Sequence, residues 1–250
     1  MNFTRYVLII LISAFINLNV LAAPTHVTEF DISGQEPVAT GITFNSNGTK
    51  MFIVGIDNAN GEEINEYSLS VAYDLTSTVT HLEAFLIESY TGVPQDVAFN
   101  GNGTEVFVVS AGGDLFSWTL ASAYDVSNPT DNHDISLGGN LRGLKFNTDG
   151  SKMFVYDAGT DSVVEYTLST AYDPSTRSST TVSFESTVIT TDQQGMAFSS
   201  DGTKMYLVRG AVGGAANFIA EYNLSIGYDL SSTITHVGTH EVNIDADEES

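Results

Sequence analysis

The segment GITFNSNGTKMFIVG, from Gly41 to Gly55, decides the fold, because the chain writes it four times. The other copies are DVAFNGNGTEVFVVS (Asp96 to Ser110), GLKFNTDGSKMFVYD (Gly143 to Asp157) and GMAFSSDGTKMYLVR (Gly195 to Arg209). In each copy an Asn-Gly or Asp-Gly step separates two apolar runs, the strongest short-range signal of a β-hairpin. It predicts a type I′ turn with positive φ at both central residues. The second run is apolar at successive positions, as in Met51, Phe52, Ile53 and Val54 or Met153, Phe154, Val155 and Tyr156. Such a strand has no polar face and must be covered on both sides.

Downstream of each copy comes a variable Gly-rich loop and then INEYSLSVAYD, LFSWTLASAYD, VVEYTLSTAYD or IAEYNLSIGYD, ending at Asp74, Asp125, Asp173 and Asp229. Tyr67, Trp118, Tyr166 and Tyr222 mark a third strand in register, two residues before Leu69, Leu120, Leu168 and Leu224. A fourth strand follows each. The turn glycines Gly48, Gly103, Gly150 and Gly202 lie 55, 47 and 52 residues apart. A period near 50 with several short strands per repeat predicts an all-β chain, a β-propeller with one four-stranded antiparallel blade per repeat.

The motif F-[NS]-x-[ND]-G-[TS]-[KE]-[MV]-[FY] resembles the repeats of the TolB-type (WD40-like) and YVTN-type β-propellers, over nearly all of the chain after the first 22 residues. The resemblance implies architecture and leaves activity open, since such rings host many functions. With the four strands of a repeat lettered a to d in chain order, it also implies that ligands bind on the face that carries the d–a and b–c loops, around the central channel.

Fourth-strand sequences number one more than the repeats. They occur at His26 to Ile32, Thr80 to Glu88, around His133 to Leu137, around Thr181 to Ser186 and at Thr235 to Ile244. Either terminal segment would complete the last blade, but not both. A closed ring of four blades is expected; the alternative is an open arc that closes by pairing with a second chain, because an uncovered blade exposes a sheet face and edge.

With 31 acidic residues, 8 basic ones and a formal charge of -23, the chain is unsuited to nucleic acid or anionic membranes. Its 42% of hydrophobic residues suffice for a core, and with no cysteine it has neither disulfides nor thiolate metal sites. Residues 1–22 read as a secretory signal peptide. Arg5 precedes an apolar run from Tyr6 to Ile16, too short to cross a bilayer, and small residues follow at Ala22 and Ala23. The expected layout is signal 1–22, one propeller domain 23–244 and an acidic tail 245–250, in a secreted or periplasmic protein.

Enzyme signatures are sparse. His26, His81 and His236 occupy equivalent positions, with His133 close to the same place, so they fall one per blade on diverging outer strands; His240 stands apart. No G-x-S-x-G elbow or H-E-x-x-H helix motif occurs. The Asp-boxes and convergent arginines of sialidases are missing, as are the repeated tryptophans of quinoprotein dehydrogenases. Tyr73, Tyr124, Tyr172 and Tyr228 read as packing anchors, and the Asn47 and Asn102 sequons as hairpin turns.

Two sets of polar residues remain. Asp57, Asp114 and Asp157 in the b–c loops offer the oxygens Ca²⁺ takes, although no EF-hand spacing occurs and turn formation explains Asp, Asn and Gly equally well. Thr40, Gln95, Arg142 and Gln194 stand at equivalent positions before the innermost strand, where residues near an axis converge although their side chains differ. The expected function is non-catalytic binding of a protein, glycan or small-molecule ligand, or scaffolding, through this loop face, by a monomer or homodimer. The alternative is a calcium-dependent propeller hydrolase or lactonase; no other cofactor is expected.

Overall fold

The computed structural model describes residues 28–56, 61–189, 193–210 and 217–242. They form four sheets, each built from four consecutive antiparallel strands. Blade 1 comprises β1 (Ala39–Phe44), β2 (Lys50–Gly55), β3 (Glu63–Leu69) and β4 (Val79–Leu86). Blade 2 comprises β5 (Pro94–Phe99), β6 (Glu105–Ser110), β7 (Asp114–Thr119) and β8 (Thr130–Ser136). Blade 3 comprises β9 (Leu141–Phe146), β10 (Lys152–Asp157), β11 (Ser162–Leu168) and β12 (Arg177–Glu185). Blade 4 comprises β13 (Gln193–Phe198), β14 (Lys204–Arg209), β15 (Phe218–Leu224) and β16 (Ile234–Glu241). The chain is a four-blade β-propeller, as its repeats predict. The signal sequence, Asp57 and the acidic tail lie outside the described residues.

Strand b shows why the repeats must stack. Phe52 and Val54 face forward and join Val97, Val106 and Val108 of blade 2 in one buried cluster. Phe107 and Val109 meet Leu144, Met153 and Val155 of blade 3. Phe154 and Tyr156 meet Met196, Met205 and Leu207 of blade 4. Successive apolar residues thus fill junctions on opposite sides of their own sheet, as the period of two requires.

The surplus strand is settled by β16, which closes blade 4 by pairing with β15. Residues 28–32 form no strand. Instead Phe30 and Ile32 pack on Met51, Ile53, Tyr67 and Leu69, the backward face of blade 1.

One local expectation fails. Of the hairpin centres only the glycines have positive φ: Gly48 (72°), Gly103 (74°), Gly150 (72°) and Gly202 (69°). The loop is longer than a two-residue turn. Asn45 N–H bonds to the Lys50 carbonyl at 3.1 Å, and Gly48 N–H returns to the Asn45 carbonyl at 3.0 Å. Asn47 Oδ1 accepts the Thr49 N–H at 3.1 Å, an Asx turn in which Asn47 is spared a positive φ and only the following glycine is left-handed.

The YD tyrosines anchor that hairpin. Tyr73, Tyr124, Tyr172 and Tyr228 adopt φ of 56–58°. Their N–H groups bond to the carbonyls of Gly48, Gly103, Gly150 and Gly202. Each ring covers its glycine so closely that a Cβ there would fall 2.1–2.3 Å from ring carbon. The expected packing role stands, at the cost of left-handed backbone.

Candidate functional site

Each inner strand carries a β-bulge at its first turn. Register jumps between Ala39 and Gly41, between Pro94 and Asp96, between Leu141 and Gly143 opposite Asp157 and Tyr156, and between Gln193 and Gly195. The residues skipped are Thr40, Gln95, Arg142 and Gln194, the set the sequence places at the channel mouth. A bulge re-aims the side chain it carries, and such devices recur beside binding sites.

The four side chains divide into two pairs. Thr40 Oγ1 donates to the Pro94 carbonyl of blade 2 at 2.8 Å. Gln95 is buried, and its Nε2 donates to the Val93 carbonyl at 3.3 Å. These two serve the backbone. Arg142 Nη1, by contrast, donates across the junction to Gln194 Oε1 at 2.8 Å on an exposed rim.

Arg142 itself and the residues flanking the pair in sequence carry unsatisfied polar atoms. Arg142 Nε, Asn140 Oδ1 and both amide atoms of Gln193 are buried without a hydrogen-bond partner among the described residues. Buried polar atoms are normally paired, and a cluster of orphans at one rim marks a place where a ligand or ordered water completes the pattern. Nearby, Tyr156 OH donates to Asp161 Oδ1 at 3.0 Å. Burial first, and then the Asp161 hydrogen bond, hold this phenol well above its usual range.

Both oxygens of Asp157 are occupied. Oδ1 accepts the N–H groups of Asn140 and Gly159 at 2.8 Å, and Oδ2 accepts the Thr160 hydroxyl at 3.1 Å. Asp114 opens β7, opposite Ser136. The acidic groups that do converge are elsewhere. Glu66 on β3, Glu83 on β4 and Asp125 in the turn between β7 and β8 bring ligand atoms within 4.8 Å of one another. Burial, reinforced by the charges of Glu66 and Asp125, pushes the Glu83 carboxyl up. Lys50 lies 2.5 Å from Glu66 and supplies positive charge to this group. Sequence reading missed it because Glu66 and Glu83 belong to blade 1 and Asp125 to blade 2, and a repeat alignment carries no cross-blade contacts.

His26 lies outside the described residues, and the described histidines join no metal-ligating group. His81 Nε2 meets Asn65 Oδ1 at 3.0 Å, and its ring packs on Tyr67. His236 packs on Tyr222, and His133 pairs in register with Ser117.

A cavity of about 350 Å³ opens at the opposite, hairpin end, between blades 1, 2 and 3. Phe44, Phe99, Tyr124, Tyr172, Asn147 and Lys145 line it. Lys145 Nζ is held there by Asp96 at 2.8 Å.

No known family model matches the sequence, and no curated protein matches it. The TolB-type and YVTN-type resemblance therefore stands at the level of architecture. Among solved structures, a functionally unknown protein from Desulfotomaculum acetoxidans is similar at 16% identity and a TM-score of 0.51, over 83% of this chain and 58% of that one. Hydrazine synthase from Kuenenia stuttgartiensis is similar at 15% identity and a TM-score of 0.50, over 87% and 53%. A putative 6-phosphogluconolactonase from Bacteroides uniformis is similar at 17% identity and a TM-score of 0.50, over 82% and 57%. This chain thus spans just over half the length of each. What it shares with them is a fold, and that fold is the β-propeller.

Proposed function

We propose that this is an exported propeller whose loop face binds a small hydroxyl-rich anion, of the sugar-acid class, at the rim of blades 3 and 4. One observation carries the reading: a bulged Arg142, steered by Gln194, stands over buried donors and acceptors without partners. In a chain of charge -23, a guanidinium at the axial rim is a local anion receptor, and its planar fork suits carboxylate or phosphate. The unsatisfied amide atoms of Gln193 and Asn140 suit hydroxyls.

Hydrolysis of the corresponding lactone is the activity to offer first, because one propeller sharing this fold is described as a putative 6-phosphogluconolactonase. Calcium held by b–c loop carboxylates such as Asp114 and Asp157 is the metal that reading would use. Binding without turnover is the second reading. It is favoured by Asp157, whose oxygens already accept three hydrogen bonds within the protein.

The test is a thermal-shift titration with gluconate, 6-phosphogluconate and neutral sugars, followed by a lactone hydrolysis assay with and without chelator. Selective stabilisation by the acids, lost in Arg142→Ala, supports the site. Equal response to neutral sugars, or full response in Arg142→Ala, defeats it. Chelator-sensitive turnover selects the lactonase reading, and binding without turnover selects the second. Export is checked by the N-terminal sequence of the secreted protein, expected to begin near Ala23.

A further inference from the structure

The three packed junctions follow one rule, and the two ends of the array carry its unused halves. The backward-facing residue of the inner strand is Val97, Leu144 or Met196 in blades 2 to 4, at most 5% exposed. Its equivalent in blade 1, Ile42, is 51% exposed. The forward-facing residue of strand b is Val54, Val109 or Tyr156 in blades 1 to 3, at most 1% exposed; its equivalent in blade 4, Val208, is 37% exposed. The forward face of blade 4 and the inner strand of blade 1 are thus exposed where every other neighbouring pair adheres, while Met51 and Ile53 of blade 1 are already covered by Phe30 and Ile32.

A polar clasp repeats the pattern independently. In blade 1, Lys50 Nζ donates to the Tyr124 carbonyl at 2.6 Å, and Glu66 Oε2 accepts the Val126 N–H of blade 2 at 3.1 Å. In blade 3, Lys152 Nζ donates to the Tyr228 carbonyl at 2.7 Å, and Glu165 Oε2 accepts the Leu230 N–H of blade 4 at 2.8 Å. Blade 2 has Glu105 and Ser117 at the two clasp positions, and blade 3 correspondingly presents Pro174, which has no N–H to give. The clasp and its recipient are kept or lost together. Blade 4 keeps the clasp as the ion pair of Lys204 and Glu221, and among the described residues no bond joins that pair to another blade. Blade 1 keeps the recipient, the Tyr73 carbonyl and the N–H of Leu75, and among the described residues no lysine–glutamate pair reaches them.

The outer half of blade 1's backward face is already furnished. Phe30 meets Tyr67 edge-on at 6.0 Å, as Phe85 meets Trp118 at 5.3 Å and Phe184 meets Tyr222 at 5.2 Å. Blade 4 lacks that aromatic: β16 places His240 opposite Ile219, where β4 places Phe85 opposite Ile64. The inner half, around Ile42, is the part left to a partner.

We propose that a second copy of this chain fills it, blade 4 of each copy docking on blade 1 of the other. The two identical junctions close an eight-bladed ring whose two-fold axis is the propeller axis. Each chain then uses at its ends the same contacts it uses inside, and eight blades lie within the range propellers adopt.

The test is the mass of the full chain in solution, by light scattering and sedimentation up to about 100 μM. Two chains per particle are expected. Val208→Arg and Ile42→Arg, both at exposed positions, should each give single chains with unchanged circular dichroism. Ile226→Arg, on an exposed turn, should remain paired. An equimolar mixture of the Val208→Arg and Ile42→Arg chains should re-pair through the one junction left intact. A single-chain wild type overturns the proposal, whether the face is covered by residues 1–27 or by the chain's own blade 1. A paired Ile42→Arg overturns it too, because pairing would then join like faces.

Discussion

The junction between blades 1 and 2 and the junction between blades 2 and 3 bury the same kind of apolar cluster and are locked by different chemistry. In the first, a lysine–glutamate pair on the outer strands grips the backbone of the next blade's YD turn. In the second, the lock moves to the innermost strand: Asp96 Oδ2 accepts the Leu144 N–H at 2.9 Å and the Lys145 ammonium at 2.8 Å. Apolar stacking sets the blade spacing in both. The polar lock fixes which turn meets which strand, and it is placed where donor and acceptor are both available. Pro174 removes a donor, so a buried glutamate at the Ser117 position would have nothing to accept there.

The largest expected effect comes from breaking the first lock. Glu66→Ala leaves Lys50 without its counter-ion and the buried Val126 N–H without its acceptor, and should cost about 3–5 kcal/mol in urea unfolding, the range for losing one partner of a buried ion pair. Ser117→Ala, at the equivalent position of the next blade, should stay within about 1 kcal/mol. Equal losses would abolish the distinction between the junctions.

Next come the turn glycines. Gly103→Ala and Gly150→Ala each force a left-handed alanine, about 1–2 kcal/mol, and push the tyrosine ring aside. Gly103→Ala should cost more, because its tyrosine, Tyr124, is also the one whose carbonyl Lys50 grips. Paired melting curves of the two variants check this. Transplanting the clasp sharpens the comparison further. Ser117→Glu alone should destabilise, and adding Glu105→Lys with Pro174→Leu should recover at least about 1 kcal/mol, read as a rise in the urea midpoint.

The smallest effect is one of pH, and it separates the two halves of the chain. Hairpins in blades 1 and 2 use Asn47 and Asn102, whereas blades 3 and 4 use Asp149 and Asp201. Hydrogen bonds from Ser199 and Thr203 lower the Asp201 carboxyl to about 2 from 3.8, and the Ser151 hydroxyl and N–H lower Asp149. A depressed folded-state pKa contributes stability that is full above the unfolded value and is lost as pH falls through the folded value. The loss therefore runs from about pH 4 to about pH 2. Asp149→Asn with Asp201→Asn keeps the Asx turns and should flatten that part of the stability profile; an unchanged slope would place the acid sensitivity elsewhere.

Much of this architecture was legible in the sequence. Repeated glycines, doubly apolar strands and in-register tyrosines report local geometry, and local geometry sets the blade. Turn type was misread because Asn-Gly alone does not reveal loop length; the Asn45–Lys50 pairing that opens the loop does. The position of the rim residues was readable because equivalent places in a repeat become equivalent places on a ring. That Thr40 and Gln95 would turn to carbonyls while Arg142 and Gln194 met each other was not. The Thr40–Pro94 and Arg142–Gln194 bonds join residues 54 and 52 positions apart, and no repeat alignment carries cross-blade partners. The clasp escaped for the same reason, although Glu105, Ser117 and Pro174 were visible as departures from their siblings.

The tyrosine-on-glycine latch divides the two ends of the propeller by what each tolerates. At the hairpin end, a left-handed tyrosine and a left-handed glycine fix one another, so neither sequence nor length has room to drift. At the other end, b–c connections range from AGGD to RGAVGGAAN without altering the strands they join. That asymmetry makes the molecule a natural loop-grafting frame, in which a foreign segment spliced between Ser110 and Asp114 inherits a rigid base at no cost to the latch.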